Sequence, residues 1–359
     1  MLLKHRPGGE RLKRENWIDS CRFLAIFVIM ATHFLAAFRP EALVLWEEMP
    51  SRLLLGGVTG KFSVAFFFVL LGYFAGRPKP FSLPDFARYT LRRYLQFAFF
   101  AFVGTLLFLL GGYAVTWLFH TPDERVFLIL SDGPRYNLIY LLRDGFLLED
   151  HYIDTLWCMR DLFLASLVCR LFACLPERLR PTVRAALGLA LIAVLLLLNA
   201  RFFVWVCDAL LGCVLRLMLT DERELCLVKP LPKLLLFLLC VVLMKLPLEE
   251  GPVLYFLQGL IAAALLCLCF CTAWAQRLLS RAPLPWLGRI GMGLFVLHAP
   301  VYSLLLSSLY PLLTGRMPEG LLLFFCFCLS VGVSILGAWL MHRAYDAALR
   351  RFRRETVSA

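Results

Sequence analysis

The sequence predicts an all-α fold, a polytopic membrane helical bundle of about ten transmembrane helices with both termini cytoplasmic. Three observations predict it. Of the 359 residues 61% are hydrophobic, and the mean hydropathy of +0.77 suits a chain immersed in lipid rather than one folded around a core in water. Apolar runs long enough for ~30 Å of hydrocarbon recur along the whole length. Lys and Arg concentrate in alternate connections, as cations that set topology do.

The first span covers 17–38. Residues 1–16 form a basic cytoplasmic segment and look like the start of a signal peptide. The apolar stretch after them carries Asp19, Arg22 and His33 and has no small-x-small cleavage site, so it is read as a retained helix. A second span, 53–76, stops at a turn punctuated by Pro78, Pro80 and Pro84. The third covers 94–118. Leu118 to Asp154 is the longest connection, too charged to span, and Tyr136, Tyr140 and Tyr152 in it suggest an interfacial helix pair or a sugar-binding cap. Spans at 155–175, 183–200, 202–219, 234–248, 253–275, 289–310 and 320–342 follow, the fifth and sixth divided by little more than Arg201. A basic tail, 343–359, closes the chain. With the N-terminus inside, the inner connections hold most of the Lys and Arg. The net charge of +12 is thereby assigned to loops beside anionic membrane lipid, and no nucleic acid is needed to explain it.

Most of the thirteen cysteines fall inside apolar segments. Cys267, Cys269 and Cys271 share one span and Cys326 and Cys328 another, which is packing by small hydrophobes and not a zinc-type spacing, so no metal site is expected. No soluble domain is appended, so any site belongs to the membrane bundle.

Ionisable residues at membrane depth are costly, which makes each a candidate functional residue. Arg22 and His33 are eleven residues apart, three helical turns plus about 20°, and so share one face roughly 16 Å apart along the axis. A neutral imidazole suits proton removal from a hydroxyl, and acylation of the ring is the alternative role; a hydrogen bond between helices is the structural one. Asp19, one turn before Arg22, can pair with it, either to make a buried guanidinium tolerable or to orient it toward a ligand. His298 in the ninth span, and Trp157, Arg160 and Asp161 near the outer end of the fourth, can line the same cavity or serve as packing and ion-pair residues. Asp208, alone in the sixth span, needs a partner that the sequence does not identify.

The first span, ENWIDSCRFLAIFVIMATHF, resembles the opening of the acyltransferase-3 family of polytopic membrane acyltransferases, in which an Asp-x-x-Arg step precedes a His deep in the first span. Asp19, Arg22 and His33 fall on those places. The resemblance continues, in order, at VAFFFVLLGYFAGR, DFARYTLRRYLQF, DTLWCMRDLF and LGRIGMGLFVLHAPVY. Three positions depart from the family pattern: Leu71 stands where it has Ser, Gln96 where it has a second Arg, and Phe295 where it often has Tyr.

The resemblance implies a membrane acyltransferase domain over 17–342 with no bound cofactor. It further implies acetyl-CoA or another acyl-CoA as cosubstrate and a glycan or lipid-linked sugar of the bacterial cell envelope as acceptor, at the inner (plasma) membrane. His33 would be base or acyl carrier, Arg22 would steady the donor or the transition-state charge, and Asp19 would position Arg22. Arg93, Arg92 and Arg88, in the inner loop with Arg77 and Lys79, would hold donor phosphates. A proton-coupled transporter of a small polar solute is the rival class, since such bundles also bury Arg, Asp and His. No internal repeat of the transporter kind is visible. A third reading, a binding-only relative, draws on Leu71 and Gln96.

Overall fold

The computed structural model describes residues 16–38, 60–76, 78–119, 124–176, 178–198, 201–218, 230–243 and 251–358. The basic segment 1–15, Arg77, the start of the second predicted span (53–59) and the end of the seventh (244–248) lie outside the described residues. Those described are helical throughout, with no strand: α1 (Asn16–Phe38), α2 (Gly60–Ala75), α3 (Leu83–Phe119), α4 (Glu124–Gly145), α5 (Leu156–Ala173), α6 (Pro181–Leu197) and α7 (Arg201–Met218). They continue with α8 (Pro230–Leu243), α9 (Pro252–Phe270), α10 (Ala273–Leu279), α11 (Leu284–Arg289), α12 (Gly291–Leu306), α13 (Leu309–Leu313) and α14 (Glu319–Ser358). Each of the ten predicted segments overlaps at least one of these helices.

Among the described residues three helices, α1, α3 and the stretch Glu319–Arg351 of α14, are each long and apolar enough to cross a membrane, fewer than the ten spans predicted; α2, α6 and α12 are apolar but shorter. A fourth crossing is counted if α9 and α10 are one span, but the chain bends by 95° between them, so the predicted span 253–275 ends at Phe270. The chain is a membrane helical protein. Proline sets several helix starts, where its missing N–H costs nothing: Pro181 opens α6 and Pro252 opens α9.

Lipid tails offer no hydrophobic drive to join one apolar helix to another, so close backbone approach does much of the work. The tightest pairing is α2 with α7. Phe68 stacks on Trp205, Gly72 meets Ala209 and Gly76 meets Cys213. Partners thus advance four for four, and the two helices run parallel. A Cβ on Gly72 would lie 1.6 Å from the Ala209 carbonyl oxygen, and one on Gly212 would lie 2.0 Å from that of Val69. Only glycine permits this contact. Tyr73 closes the pair below, its hydroxyl accepting from Arg216 Nη1 at 2.7 Å.

Helix α12 runs along three neighbours. Ile26 touches Gly291 and Gly104 touches Val296, while Gly293 lies against Ala338 of α14. Together α1, α3, α12 and α14 wall one side of the bundle.

The charged stretch after α3 differs from an interfacial pair lying beyond the bundle. It forms two helical pieces broken at Gly133, whose φ of 71° needs glycine, with Pro134 opening the second piece. Both fold back along α3: Ile129 meets Gly112, Gly145 meets Phe102, and Tyr94 donates to the Phe146 carbonyl at 3.1 Å. Internal pairing makes this possible. The buried Asp144 carboxylate accepts the amides of His151 (3.0 Å) and Tyr152 (2.9 Å), while Asp132 takes the Tyr152 hydroxyl and the His151 ring, each at 2.9 Å. Polar groups satisfied within the segment can sit beside a membrane helix, and hydropathy does not register that satisfaction.

Candidate active site

Arg22 lies nearly two turns into α1. Its Nη1 donates to Asp19 Oδ1 at 2.8 Å, and its guanidinium lies 5.1 Å from the centre of the Phe74 ring. Asp19 is buried and serves a second cation, since Arg289 Nε stands 3.7 Å from Oδ2. Arg289 comes from α11, which is pressed so close that a Cβ on Gly288 would lie 1.7 Å from the Asp19 carbonyl oxygen. One carboxylate between two guanidinium groups leaves net positive charge.

That charge faces a cavity of about 450 Å³ between α1, α2, α3, α5, α11, α12 and α14. Its polar end is lined by Arg22, Tyr89, Arg93, Gln96, Arg289 and His342, with no carboxylate among its lining residues. Three guanidinium groups in one cleft give it the charge to hold an anion, and the planar fork of Arg suits phosphate oxygens. Arg93 is held in place by Gln96, which accepts from Nη1 at 3.1 Å, and by the Phe97 ring 4.9 Å away. The Gln that departs from the family pattern thus fixes the neighbouring Arg.

Away from this end the lining turns apolar, through Leu70, Leu71, Met159, Leu162 and Met292 to Phe67 and Phe295. Those two phenylalanine rings meet edge to face, 6.4 Å between centres, and form the roof. Leu71 is therefore part of a greasy wall where a hydroxyl would have been a polar point.

One turn beyond Phe295 is His298, fully buried, with Nδ1 2.7 Å from the Phe295 carbonyl oxygen. A carbonyl can only accept, so Nδ1 carries the proton and Nε2 of the neutral ring is the acceptor. The His33 ring lies edge-on to that of His298, centres 5.1 Å apart. Tyr302 ties the two helices together at this depth by donating to the Met30 carbonyl at 2.8 Å. The two histidines form a pair just past the roof of the cavity.

The predicted residues therefore divide. Arg22 and Arg93 line the cavity and Asp19 stands behind Arg22, while His33 and His298 pair above the roof. Arg92 and Arg88 are exposed on α3, and Arg88 pairs with Asp85 at 3.2 Å. Arg160 and Asp161 stand 4.0 Å apart on α5, and Trp157 packs on Trp205; none of the three lines the cavity. Asp208 is fully buried against Gly259, where a Cβ would lie 1.9 Å from Oδ1; neither of its carboxylate oxygens has a hydrogen-bond partner among the described residues. Sequence reasoning missed Arg289 and His342. Arg289 sits in the LGRIG stretch, where it passes as a topology-setting charge at a span end, and His342 lies at the last residue of a predicted span.

The sequence matches the acyltransferase domain family over residues 15–340, most of the chain and all the residues of the site except His342. The protein belongs to that family and is an acyltransferase. No curated protein and no solved structure matches it.

Proposed function

We propose that this is a membrane O-acyltransferase, most simply an O-acetyltransferase. In this reading it carries an acyl group from a coenzyme A thioester to a hydroxyl of a cell-envelope glycan or lipid-linked sugar. It would cross the bacterial inner membrane ten times with both termini in the cytoplasm, its partners being acyl-CoA, the acceptor and membrane lipid. The observation that carries this reading is the graded cavity, with guanidinium groups at one end, an apolar wall along its length, and a histidine pair past the aromatic roof.

The gradient matches an acyl-CoA read from end to end. Arg22, Arg93 and Arg289 hold phosphates at the cytoplasmic mouth, with Arg92 and Arg88 on the approach. Arg22 and His33 are separated by eleven residues of one helix, roughly 16 Å, so a single residue cannot serve both phosphate and thioester. The pantetheine arm spans that distance past Leu71 and the phenylalanines, and brings the thioester carbonyl to His33. The acceptor oxygen attacks the carbonyl carbon as its proton passes to a ring nitrogen of His33. The tetrahedral adduct then collapses with cleavage of the C–S bond, and the departing thiolate recovers the proton. Asp19 positions Arg22, and His298 orients His33.

The test is release of free coenzyme A together with transfer of labelled acetyl to endogenous glycan, in membranes holding equal amounts of wild type and His33→Ala. Signal that collapses in the variant supports the assignment. Equal signal in both removes His33 from the chemistry, and no signal in either across several acyl donors rejects the reading.

A further inference from the structure

Beyond the histidine pair the bundle contains an aromatic series that the cavity does not use. Trp157 of α5 lies 5.9 Å from Trp205 of α7, Trp205 stacks on Tyr255 of α9 at 5.8 Å, and Lys61 Nζ of α2 stands 5.5 Å from the centre of the Tyr255 ring. Phe68, fully buried, backs Trp205 at 5.5 Å. Trp205 is buried, whereas Trp157 and Tyr255 are partly open and Lys61 is exposed. All four belong to the N-terminal ends of helices whose starts meet here.

Two contacts fix the depth of this series. Gly60, next to Lys61, lies against Thr32, next to His33, with its built Cβ 3.5 Å from Thr32 Cγ2. Near the other end, Ile153 and Val296 both reach Gly104; Ile153 is four residues before Trp157, and Val296 is two before His298. The series and the histidine pair thus share one depth. It lies on the far side of the roof from the guanidinium groups.

We propose that Trp157, Trp205, Tyr255 and Lys61 form the acceptor subsite and take a sugar ring, an inference that rests on the acyl-transfer reading above. The axial C–H bonds of a sugar carry partial positive charge and settle on the negative face of an aromatic ring. Trp157, partly open and backed on one side by Trp205, offers such a face, and the partly open Tyr255, stacked on Trp205 with Lys61 over its ring, flanks it. Lys61 donates to the ring's oxygens from above Tyr255, where the aromatic face already steadies the ammonium. A sugar lying on these rings presents hydroxyls at the depth of His33, the position from which His33 takes a proton. The donor enters from one side of the roof and the acceptor lies on the other.

The experiment uses the full chain in lipid nanodiscs with two readouts. The first is acetyl transfer from acetyl-CoA to envelope glycan extracted from the source cells, giving separate half-saturation values for donor and acceptor. The second, which needs no turnover, is quenching of tryptophan fluorescence by the same glycan. Tyr255→Leu and Trp157→Leu are expected to raise the acceptor half-saturation about tenfold while the donor value stays within about twofold, with Tyr255→Phe restoring most of the loss. Transfer by wild type with an unchanged acceptor value in both Leu variants, or Tyr255→Phe as damaging as Tyr255→Leu, overturns the subsite and leaves the transferase intact. Quenching seen in wild type and lost in Tyr255→Leu, with no transfer by wild type, keeps the subsite and rejects the acyl-transfer reading. Neither transfer nor quenching in wild type removes both.

Discussion

His33 and His298 meet edge to face with ring centres 5.1 Å apart, and the Phe295 carbonyl fixes the proton of His298 on Nδ1. One imidazole is therefore oriented by the backbone and in turn faces the other. His33→Ala should lower transfer by about 10²–10⁴-fold, the range of a general base. His298→Gln should cost less and act on kcat, with donor half-saturation nearly unmoved. A shifted pH profile of kcat in His298→Gln marks orientation of the base, whereas an unshifted profile with reduced protein yield would reduce His298 to a packing residue.

Asp19 joins two arginines, so the three residues should respond differently to substitution. Arg289→Gln removes one cation from the cavity and is expected to raise the half-saturating acetyl-CoA concentration by about 10–100-fold, the worth of a charge-assisted hydrogen bond. Asp19→Asn removes the carboxylate charge that Arg22 and Arg289 share. Asp19 is buried but the Arg22 and Arg289 side chains keep 33% and 47% of their exposure, so the loss is smaller than the ~3–5 kcal/mol of a fully buried pair and should show as a lowered melting temperature in detergent. A stable Asp19→Asn protein with normal kinetics would contradict this account.

Phe295 and Phe67 separate the guanidinium end of the cavity from the histidines. Phe295→Ala opens that roof to water, and coenzyme A release should then exceed acetyl transfer, whereas the two match in wild type. Parallel measurement of free thiol and labelled glycan gives the ratio directly. A ratio near one in Phe295→Ala would show that the roof does not exclude water.

Gly72→Leu should prevent folding, because even a Cβ at that position falls 1.6 Å from the Ala209 carbonyl oxygen. Fluorescence-detected size-exclusion of a tagged protein should show loss of the monodisperse peak. Gly320→Leu is the control, since a Cβ there meets nothing within 4 Å.

Much of this architecture is legible in the sequence, for reasons that also explain the gaps. Hydropathy locates helices because lipid exposure demands apolar side chains, and each of the ten predicted segments overlaps a helix. It places ends poorly where a helix continues as an amphipathic rod: α3 begins at Leu83 and not residue 94, and α14 runs to Ser358. The fold-back of 124–145 was hidden because Asp132, Asp144 and His151 are satisfied within the segment. At the site, the spacing of Asp19, Arg22 and His33 is local to one helix and can be read directly. Arg289 reaches Asp19 only through the packing of α11 on α1, and His342 reaches the cavity only because α14 lies beside α3. No spacing rule connects them.

The parallel pairing of α2 and α7 bears on how the protein is made. Cys213 of α7 donates to the Gly72 carbonyl across 141 residues of sequence, so α2 enters the bilayer long before its closest neighbour is synthesised. Until then the glycine face of α2 lacks the backbone it packs on, and the interval between the two syntheses is a window in which a ribosome-bound, half-built chain carries that face uncovered by α7.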